Sequence, residues 1–347
     1  MTGERTRTGL FLSGESRLDG FALATVVVDG KPEPGLVLGE EVFDLRHCAR
    51  QAEVDLAEGD PRFDIRDLLD QWDASFAGIA SIVNFIDKIG VDDERLHTYG
   101  PGSRIIQPVA RPSKMIYAAQ NYPDHVQEMR DARKFGFNDV VVDAASDFKG
   151  DRSTSIPYLF LKAPSCLTGP YDDVAMPPEV TKMDWEVELA VVIGRRATRV
   201  SAAEAPSHIA GFMTTNDFSA RNLLFRPDRD RLRSDWFGGK SHDGFAPMGP
   251  LFVPAEFVPD PSNLRLRLSV NGITRQDGNT GHLIFSPAEQ IEYASRFTTL
   301  SPGDIFATGT PGGVGQGSDT FLTPGDVVEA EVVGLGVLRN RIVVSAA

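Results

Sequence analysis

The sequence predicts a mixed α/β protein that is mainly β, with its strands arranged as a roll or sandwich and a small α/β domain at the N-terminus. Two observations support this fold class. Many short strand-like stretches are separated by turn signals, and few helical stretches lie between them. A parallel doubly wound sheet would instead require strands and helices to alternate along the chain.

The predicted N-terminal domain covers residues 1–110. Its strand-like stretches are separated at Asp29-Gly30, which is a hairpin signal, and at Gly39-Glu40, which is a weaker one. A helix should follow, because apolar residues recur there at helical spacing: Leu68, Leu69, Trp72, Phe76, Ile79, Ile82, Val83 and Ile86. Prolines then interrupt the chain near residue 110, and we place the domain boundary there.

The second predicted domain covers residues 111–347. Asn271-Gly272, between two alternating stretches, is the strongest hairpin signal in the chain. Further strands are expected at 114–120, 185–194, 303–311 and 325–344. Helices are expected at 201–211 and at 286–300, where Ser286 and Glu289 form a capping-box pattern. Residues 130–157 are polar and weakly periodic, which indicates a lid or a surface insertion without a role.

The composition excludes several classes of protein. Of the 347 residues, 41% are hydrophobic, which is enough for a buried core. The formal net charge of -14 argues against general nucleic-acid binding, which needs a basic surface. The two cysteines are far apart, so we expect no disulfide framework. We also expect no signal peptide and no membrane span, because long apolar runs are absent, and we expect a cytoplasmic location.

A pair of acidic residues is the first candidate functional feature. In a strand, Glu186 and Glu188 would project from one face with their Cα atoms roughly 6 to 7 Å apart. A solvated polar face would explain this pair alone, but the following apolar run predicts a buried strand, where unpaired acids are rare. Asp217 could complete a three-carboxylate site, or it could cap a helix. All-oxygen ligands point to Mg²⁺, Mn²⁺ or Ca²⁺ rather than Zn²⁺.

Three further segments could carry chemistry. His125 and Glu128 are three residues apart, so on a helix they would be neighbours, either as an oriented base or as a chance surface pair. Lys240 follows two glycines, which allow a sharp bend. The glycine-rich segment around Thr310 lacks the Lys-Ser/Thr of a phosphate loop, so we expect it to contact a substrate carboxylate instead.

Together these segments resemble the fumarylacetoacetate hydrolase family, over about residues 114–341. Each motif is weak alone, but their conjunction in the family's order is specific. The motifs are NYPDHVQEM, FLKAPSCLTGP, DWEVELAVVIGRR, NDFSARN, GGKSHDGFAPMGP, VNGITRQDGNT, FSPAEQIEYASRF, LSPGDIFATGTPGGVG and LRNRI.

The resemblance implies a catalytic β-roll domain, a homodimer, and Mg²⁺ or Mn²⁺ held by Glu186, Glu188 and Asp217. It also implies that His125 and Glu128 form a catalytic dyad. The active-site lysine would be Lys240, the substrate-facing arginine Arg221 and the loop threonine Thr310. We also expect Leu224 and Tyr122 to contact the substrate.

The chain departs from the family's pattern in two places. Members commonly carry glutamine where this chain has Leu224, which predicts a more apolar substrate and disfavours oxaloacetate, unless Leu224 is simply core and Arg221 forms a structural ion pair. The segment of residues 129–157 is also longer than the corresponding segment in compact members of the family.

The expected reaction is hydrolysis of a carbon–carbon bond in a 2,4-dioxo acid such as an acylpyruvate. Its substrate is a small molecule, and no nucleic acid or membrane partner is expected. The alternatives are decarboxylation, isomerisation or hydration of a 2-oxo acid, or a metal-binding scaffold without activity.

Overall fold

The computed structural model describes residues 20–56, 64–100, 102–134, 150–226, 228–229, 232 and 234–345. Residues 135–149, which make up much of the predicted lid or insertion, lie outside this part of the chain. The fold is mixed α/β and mainly β, as the sequence predicts. None of the described helices is both long enough and apolar enough to cross a membrane.

The described part of the chain contains these strands and helices in order. The strands are β1 (Ala22–Val28), β2 (Lys31–Leu38), β3 (Glu41–Asp44), β4 (Arg104–Ile106), β5 (Met115–Ala118), β6 (Leu159–Lys162), β7 (Leu167–Thr168), β8 (Val174–Met176), β9 (Met183–Asp184), β10 (Val187–Ile193), β11 (Ile209–Asn216), β12 (Ser219–Ala220), β13 (Ala246–Pro254), β14 (Arg265–Val270), β15 (Ile273–Asn279), β16 (Ile305–Ala307), β17 (Val327–Val332) and β18 (Val337–Val344). The α-helices are α1 (Leu45–Gln51), α2 (Ile65–Asp70), α3 (Trp72–Ile89), α4 (Pro123–Lys134), α5 (Arg221–Leu224), α6 (Trp236–Lys240), α7 (Pro287–Ser295) and α8 (Gly315–Ser318).

Two large sheets form the framework. The larger has the strand order β3-β2-β1-β13-β11-β10-β16-β5-β6, with β4 beside β1 and β7 beside β13. The smaller has the order β15-β14-β17-β18-β8, and β9 and β12 form a separate ribbon. Because β1 pairs with β13 at Leu23 and Phe252, the larger sheet includes strands from both sides of residue 110. The division into domains 1–110 and 111–347 remains a prediction.

Strand β10 lies at the centre of the packing. Leu189 and Val191 face a core shared with the smaller sheet, whereas Ala190 and Val192 face a second core formed with α1 to α3. All seven residues of β10 are buried. The prediction of a strand buried on both faces is therefore confirmed, and polar groups at its ends must find partners inside the protein.

Local signals in the sequence predict several of these elements. Hairpins form at Asp29-Gly30 and at Asn271-Gly272, where all four residues have positive φ. The capping box of α7 is present at Ser286 and Glu289. The predicted helix over the apolar stretch 68–86 is confirmed as α2 and α3, which are interrupted at Gln71.

One predicted helix is wrong. Residues 201–211 contain only a single 3₁₀ turn at Ala205–His208, and β11 begins directly after it. Strand β11 pairs with β10 and β13 along its length, so long-range pairing overrides the local helical preference of the preceding residues.

Candidate active site

Three buried carboxylates meet where β10 begins and β11 ends. Glu188 lies on β10, Glu186 lies just before it, and Asp217 directly follows β11. The Asn216 side-chain oxygen accepts from the Glu186 backbone N–H at 2.9 Å, and the Asp217 backbone N–H donates to the Glu186 carbonyl oxygen at 2.8 Å. One oxygen from each carboxylate lies within 4.8 Å of the others. Asp217 does not cap a helix, since α5 has Ala220 at its N-cap.

Three buried cations surround this triad. The Lys240 ammonium donates to Glu186 at 2.6 Å and to Asp217 at 2.5 Å. The Lys162 ammonium donates to the other Asp217 oxygen at 2.6 Å and to the carbonyl oxygens of Phe218 and Phe245, which uses all three of its N–H donors. The triad is thereby fixed on two sides by ammonium groups.

Arg221 is the third cation, and it bridges two carboxylates. Its guanidinium donates to Asp184 at 2.7 Å and also pairs with Glu186. Helix α5 begins at Arg221, so Asp217 and Arg221 do not share a helical turn. Asp184 in turn accepts from the backbone N–H groups of Gly315 and Gln316. A contact between Arg221 and a substrate remains a prediction.

The three carboxylates differ in their electrostatic surroundings, and Glu188 is the least compensated by nearby cations. Burial raises the pKa of Glu186, but Lys240 and Arg221 outweigh it and hold that pKa at about 2. Burial, together with Asp217 and Glu186, raises the pKa of Glu188 well above its usual range. Burial also raises the pKa of Asp217 despite the two lysines beside it. The site therefore has more buried negative charge than its own cations neutralise.

The residues present fit a divalent cation. Glu188 Oε2 accepts from the Gly309 backbone N–H at 2.7 Å, but its buried Oε1 has no hydrogen-bond partner among the described residues. A buried carboxylate oxygen without a partner is costly, and a cation between the three carboxylates would satisfy it. The all-oxygen donor set suits a hard ion such as Mg²⁺ or Mn²⁺.

The His125–Glu128 pair lies on helix α4, as the spacing predicts. His125 is buried, and its Nδ1 lies 3.5 Å from Glu128 Oε2. The Glu128 carboxylate also accepts from the Gly313 backbone N–H at 3.0 Å, which fixes it from the opposite side. An imidazole positioned in this way can accept and return a proton, although the bond to Glu128 is long in this structure.

The glycine-rich loop after β16 binds carboxylates of the protein itself. Its backbone N–H groups at Gly309, Gly313 and Gly315 donate to Glu188, Glu128 and Asp184 respectively. Gly309 has a φ of 100°, and a Cβ there would lie 2.7 Å from the Asn121 side chain, so this close approach requires glycine.

Thr310 in the same loop is also engaged within the protein. Its hydroxyl donates to the Val187 carbonyl oxygen at 2.9 Å and accepts from Gln276 at 2.8 Å. The expected contact of Thr310 with a substrate remains a prediction.

A cavity of about 720 Å³ opens beside the triad. Six of the predicted site residues line it: His125, Glu186, Arg221, Leu224, Lys240 and Thr310. Glu188 and Asp217 lie behind this surface, within the acidic cluster. Tyr122 is fully buried and does not line the cavity, and its hydroxyl has no hydrogen-bond partner in the described part of the chain. Burial and the nearby Glu188 raise the pKa of this hydroxyl.

Lys162, Asp184 and Gln276 also belong to the site, although the sequence motifs do not single them out. Lys162 and Asp184 contact members of the acidic cluster, and Gln276 bridges Val187 and Thr310. Two features of the sequence hint at buried charges: a lysine ends the apolar strand β6, and an acid lies directly before the Glu186 segment. Their partners are distant in sequence, so only the fold identifies them.

Comparisons with known proteins identify the family of this chain. The family model described as the C-terminal domain of fumarylacetoacetate (FAA) hydrolase matches residues 114–343. The mitochondrial oxaloacetate tautomerase FAHD2A of Bos taurus is 39% identical over 240 residues, which are 69% of this chain and 69% of that protein.

Solved structures share the fold over nearly the whole chain. Fumarylacetoacetate hydrolase from psychrophilic Exiguobacterium antarcticum has a TM-score of 0.69 and 26% identity, and the match covers 94% of this chain and 100% of that chain. Maleylpyruvate hydrolase from Sphingobium sp. SYK-6 has a TM-score of 0.67 and 25% identity, and the match covers 93% and 100% respectively. The resemblance seen in the sequence is confirmed, and this chain belongs to the fumarylacetoacetate hydrolase family.

Proposed function

We propose that this chain is a divalent-metal-dependent hydrolase that cleaves the carbon–carbon bond between the two carbonyl groups of a 2,4-dioxo acid. The observation that carries the proposal is the convergence of a buried carboxylate triad, a cavity-lining histidine and a buried lysine on one cavity. The cavity of about 720 Å³ has room for a 2,4-dioxo acid that carries a substituent at C4.

Glu186, Glu188 and Asp217 would hold the ion, which we propose is Mg²⁺ or Mn²⁺. When bound, the ion would supply Lewis-acid chemistry, stabilising the negative charge of an enolate and orienting the 2-oxo acid end of the substrate. The orphaned Glu188 oxygen supports this assignment.

His125 would move the protons of the reaction. It accepts a proton from water, whose oxygen forms a bond to the carbonyl carbon at C4. The bond between C3 and C4 then breaks with its electron pair on C3, and the protonated His125 returns the proton there. The products are a carboxylic acid and pyruvate, so all atoms of water and substrate are accounted for. Glu128 orients the imidazole.

Lys240 and Arg221 would have supporting roles. Two Lys240 N–H donors bind Glu186 and Asp217, and the side chain lines the cavity, where its charge can stabilise the oxyanion that develops at C4. Arg221 fixes Glu186 through its bridge to Asp184.

Tautomerisation of oxaloacetate is the second candidate function. The 39% identity to a protein named oxaloacetate tautomerase supports it. His125 would then move one proton between C3 and the enol oxygen, without any bond between carbon atoms breaking. The apolar Leu224 in the cavity wall favours the hydrolase instead, because a small polar diacid gains little from it.

A substrate screen separates the two functions. Purified protein is incubated with Mg²⁺ and either a 2,4-dioxo acid or oxaloacetate, and products are identified by mass spectrometry and by the decay of the enol absorbance. Release of pyruvate and a carboxylic acid supports the hydrolase. Faster interconversion of the enol and keto forms of oxaloacetate, without cleavage of the 2,4-dioxo acid, would replace it with the tautomerase.

We further propose that the enzyme is a homodimer and acts in the cytoplasm, although the bovine relative is named as mitochondrial. Gel filtration with light scattering tests the first point, and fractionation of the native cells tests the second.

A further inference from the structure

Aromatic side chains form much of the cavity wall beside the acidic cluster. Ligand cavities are usually lined by apolar side chains with a few polar groups, and here the polar groups include His125 and Lys240. The aromatic lining residues are Tyr158, Phe160, Phe225, Trp236, Phe285 and Tyr293.

Three of these rings form a continuous row that begins at the acidic cluster. The Lys240 ammonium lies 5.4 Å from the centre of the Phe160 ring. The Phe160 ring stacks on Trp236 at 4.7 Å with an interplanar angle of 28°, and Trp236 lies 5.5 Å from Tyr158. The row therefore runs from the charged end of the cavity toward its open end.

Helix α6 fixes the spacing between the two ends. Trp236 and Lys240 lie four residues apart on this helix, so they occupy the same helical face. Phe237, the next residue, is 75% exposed and does not line the cavity. The cavity-facing side of α6 thus carries one residue for a charged group and one for an apolar group.

Packing in the core explains only part of this aromatic row, because one of its rings is exposed. Phe160 is buried in the core, but Tyr158 is 55% exposed at the cavity mouth. Leu224 and Met129 add further apolar surface to the lining. An aromatic ring of a ligand would pack in offset or edge-on contact with such a row, whereas a methyl group would leave it in water.

We propose that the substrate is a 2,4-dioxo acid whose acyl substituent is an aryl ring, packed against Trp236 and Tyr158. The proposal rests on the proposed function, because that function places the 2-oxo acid end beside the metal ligands. The new element is the chemical class of the substituent at the opposite end of the substrate. Size supports it, since the cavity of about 720 Å³ can hold both parts.

The test measures binding separately from turnover. Full-length protein carrying His125→Ala and loaded with Mg²⁺ is titrated with 2,4-dioxo-4-phenylbutanoate and with 2,4-dioxopentanoate in a calorimeter. We expect the phenyl compound to bind at least about 10-fold more tightly, from burial of the ring. Equal dissociation constants for the two acids would overturn the proposal.

Variants of α6 locate the preference. Trp236→Ala in the same background should reduce the ratio of dissociation constants to within about 3-fold by weakening only the phenyl compound, and Trp236→Phe should retain most of it. Phe237→Ala is the matched control and should leave both constants unchanged. A Trp236→Ala protein that binds both acids more weakly by the same factor would show a structural role for Trp236 and contradict the proposal.

Turnover by the protein with His125 intact distinguishes failure of the proposed hydrolase from failure of the proposed aryl preference. Cleavage of both acids with equal kcat/KM would leave the hydrolase standing and refute the aryl preference. Preferential binding of the phenyl compound without cleavage of either acid would refute the hydrolase and leave the aryl-binding cavity standing.

Discussion

At the scale of single residues, the site depends on buried charges that neutralise one another incompletely. Lys162, Lys240 and Arg221 pair with Asp217, Glu186 and Asp184, whereas one oxygen of Glu188 has no hydrogen-bond partner among the described residues. Buried ion pairs contribute little net stability, but removal of one partner leaves an uncompensated charge. Substitutions here should therefore affect function and stability in distinguishable ways.

His125→Ala tests the proton-transfer role. His125 lines the cavity, and its ring nitrogen contacts Glu128 rather than the carboxylate triad. We expect kcat to fall by roughly 10²–10⁴-fold, the usual effect of removing a positioned base. The affinity for Mg²⁺ should barely change, as measured by calorimetry. Loss of ion binding in this variant would instead place His125 among the metal ligands.

Arg221→Lys tests the bridge to Glu186. A lysine retains the charge but cannot bond Asp184 and Glu186 through a planar fork. We expect the affinity for Mg²⁺ to fall by about 10- to 100-fold, as for other groups that orient metal ligands. Calorimetry of the variant and of the parent protein measures this difference. Unchanged ion affinity with a raised KM would show that Arg221 binds the substrate and does not orient Glu186.

At the scale of elements, the glycine-rich loop connects the parts of the site. Its N–H groups bind carboxylates from α4, β9 and β10. One loop thus positions the partner of Arg221, a proposed metal ligand and the residue that we propose orients His125. Helix α8 in this loop packs against α4, and a Cβ at Gly317 would overlap the Glu128 carboxylate. Glycine at this helical position leaves room for Glu128.

Gly317→Ala tests this arrangement. Alanine is favoured over glycine within a helix by roughly 0.5–1 kcal/mol, so the free energy of unfolding should not fall. The carboxylate of Glu128 must move, and kcat should fall by up to about 10²-fold because a displacement near 1 Å can have that effect. Activity assays measure kcat, and thermal unfolding measures the change in stability.

The control for Gly317→Ala is Gly100→Ala, because a Cβ at Gly100 meets no atom within 4 Å. It should change neither quantity. If Gly317→Ala retained full activity, the contact between α8 and Glu128 would have no part in catalysis.

Local patterns predicted much of the site, and long-range contacts supplied the rest. The alternation at Glu186 and Glu188 and the three-residue spacing of His125 and Glu128 are properties of single elements, so the sequence reveals them. The bond between Lys162 and Asp217 joins residues 55 positions apart and leaves no local pattern. The same reason explains the wrong helix at 201–211, where pairing with distant strands decides the structure.

At the scale of the whole molecule, the site lies between two cores formed by the two sheets and by helices α1 to α3. The strands that carry the triad lie in the middle of the larger sheet, with one core on each side. Burial on both faces keeps the carboxylates close together despite their repulsion. The fold therefore supplies part of the energy needed to form an acidic site before an ion binds.

Ion binding should stabilise the whole chain. An ion that binds only the folded state raises the free energy of unfolding by about 2.7 kcal/mol at 100 times its dissociation constant. We expect the thermal transition to rise with Mg²⁺ or Mn²⁺ and to fall after chelation with EDTA. Equal thermal unfolding midpoints in EDTA and in saturating Mg²⁺ would argue against stabilisation of the folded chain by the ion.

Calorimetric titration tests whether Glu186, Glu188 and Asp217 bind one divalent ion, as we propose. Metal-free protein should bind one Mg²⁺ or Mn²⁺ per chain. Glu188→Gln keeps the size of the side chain but removes its charge, so we expect ion affinity to fall by more than about 10-fold while the protein stays folded. Binding of one ion by the Glu188→Gln protein with unchanged affinity, or no binding by the unsubstituted protein, would contradict the claim.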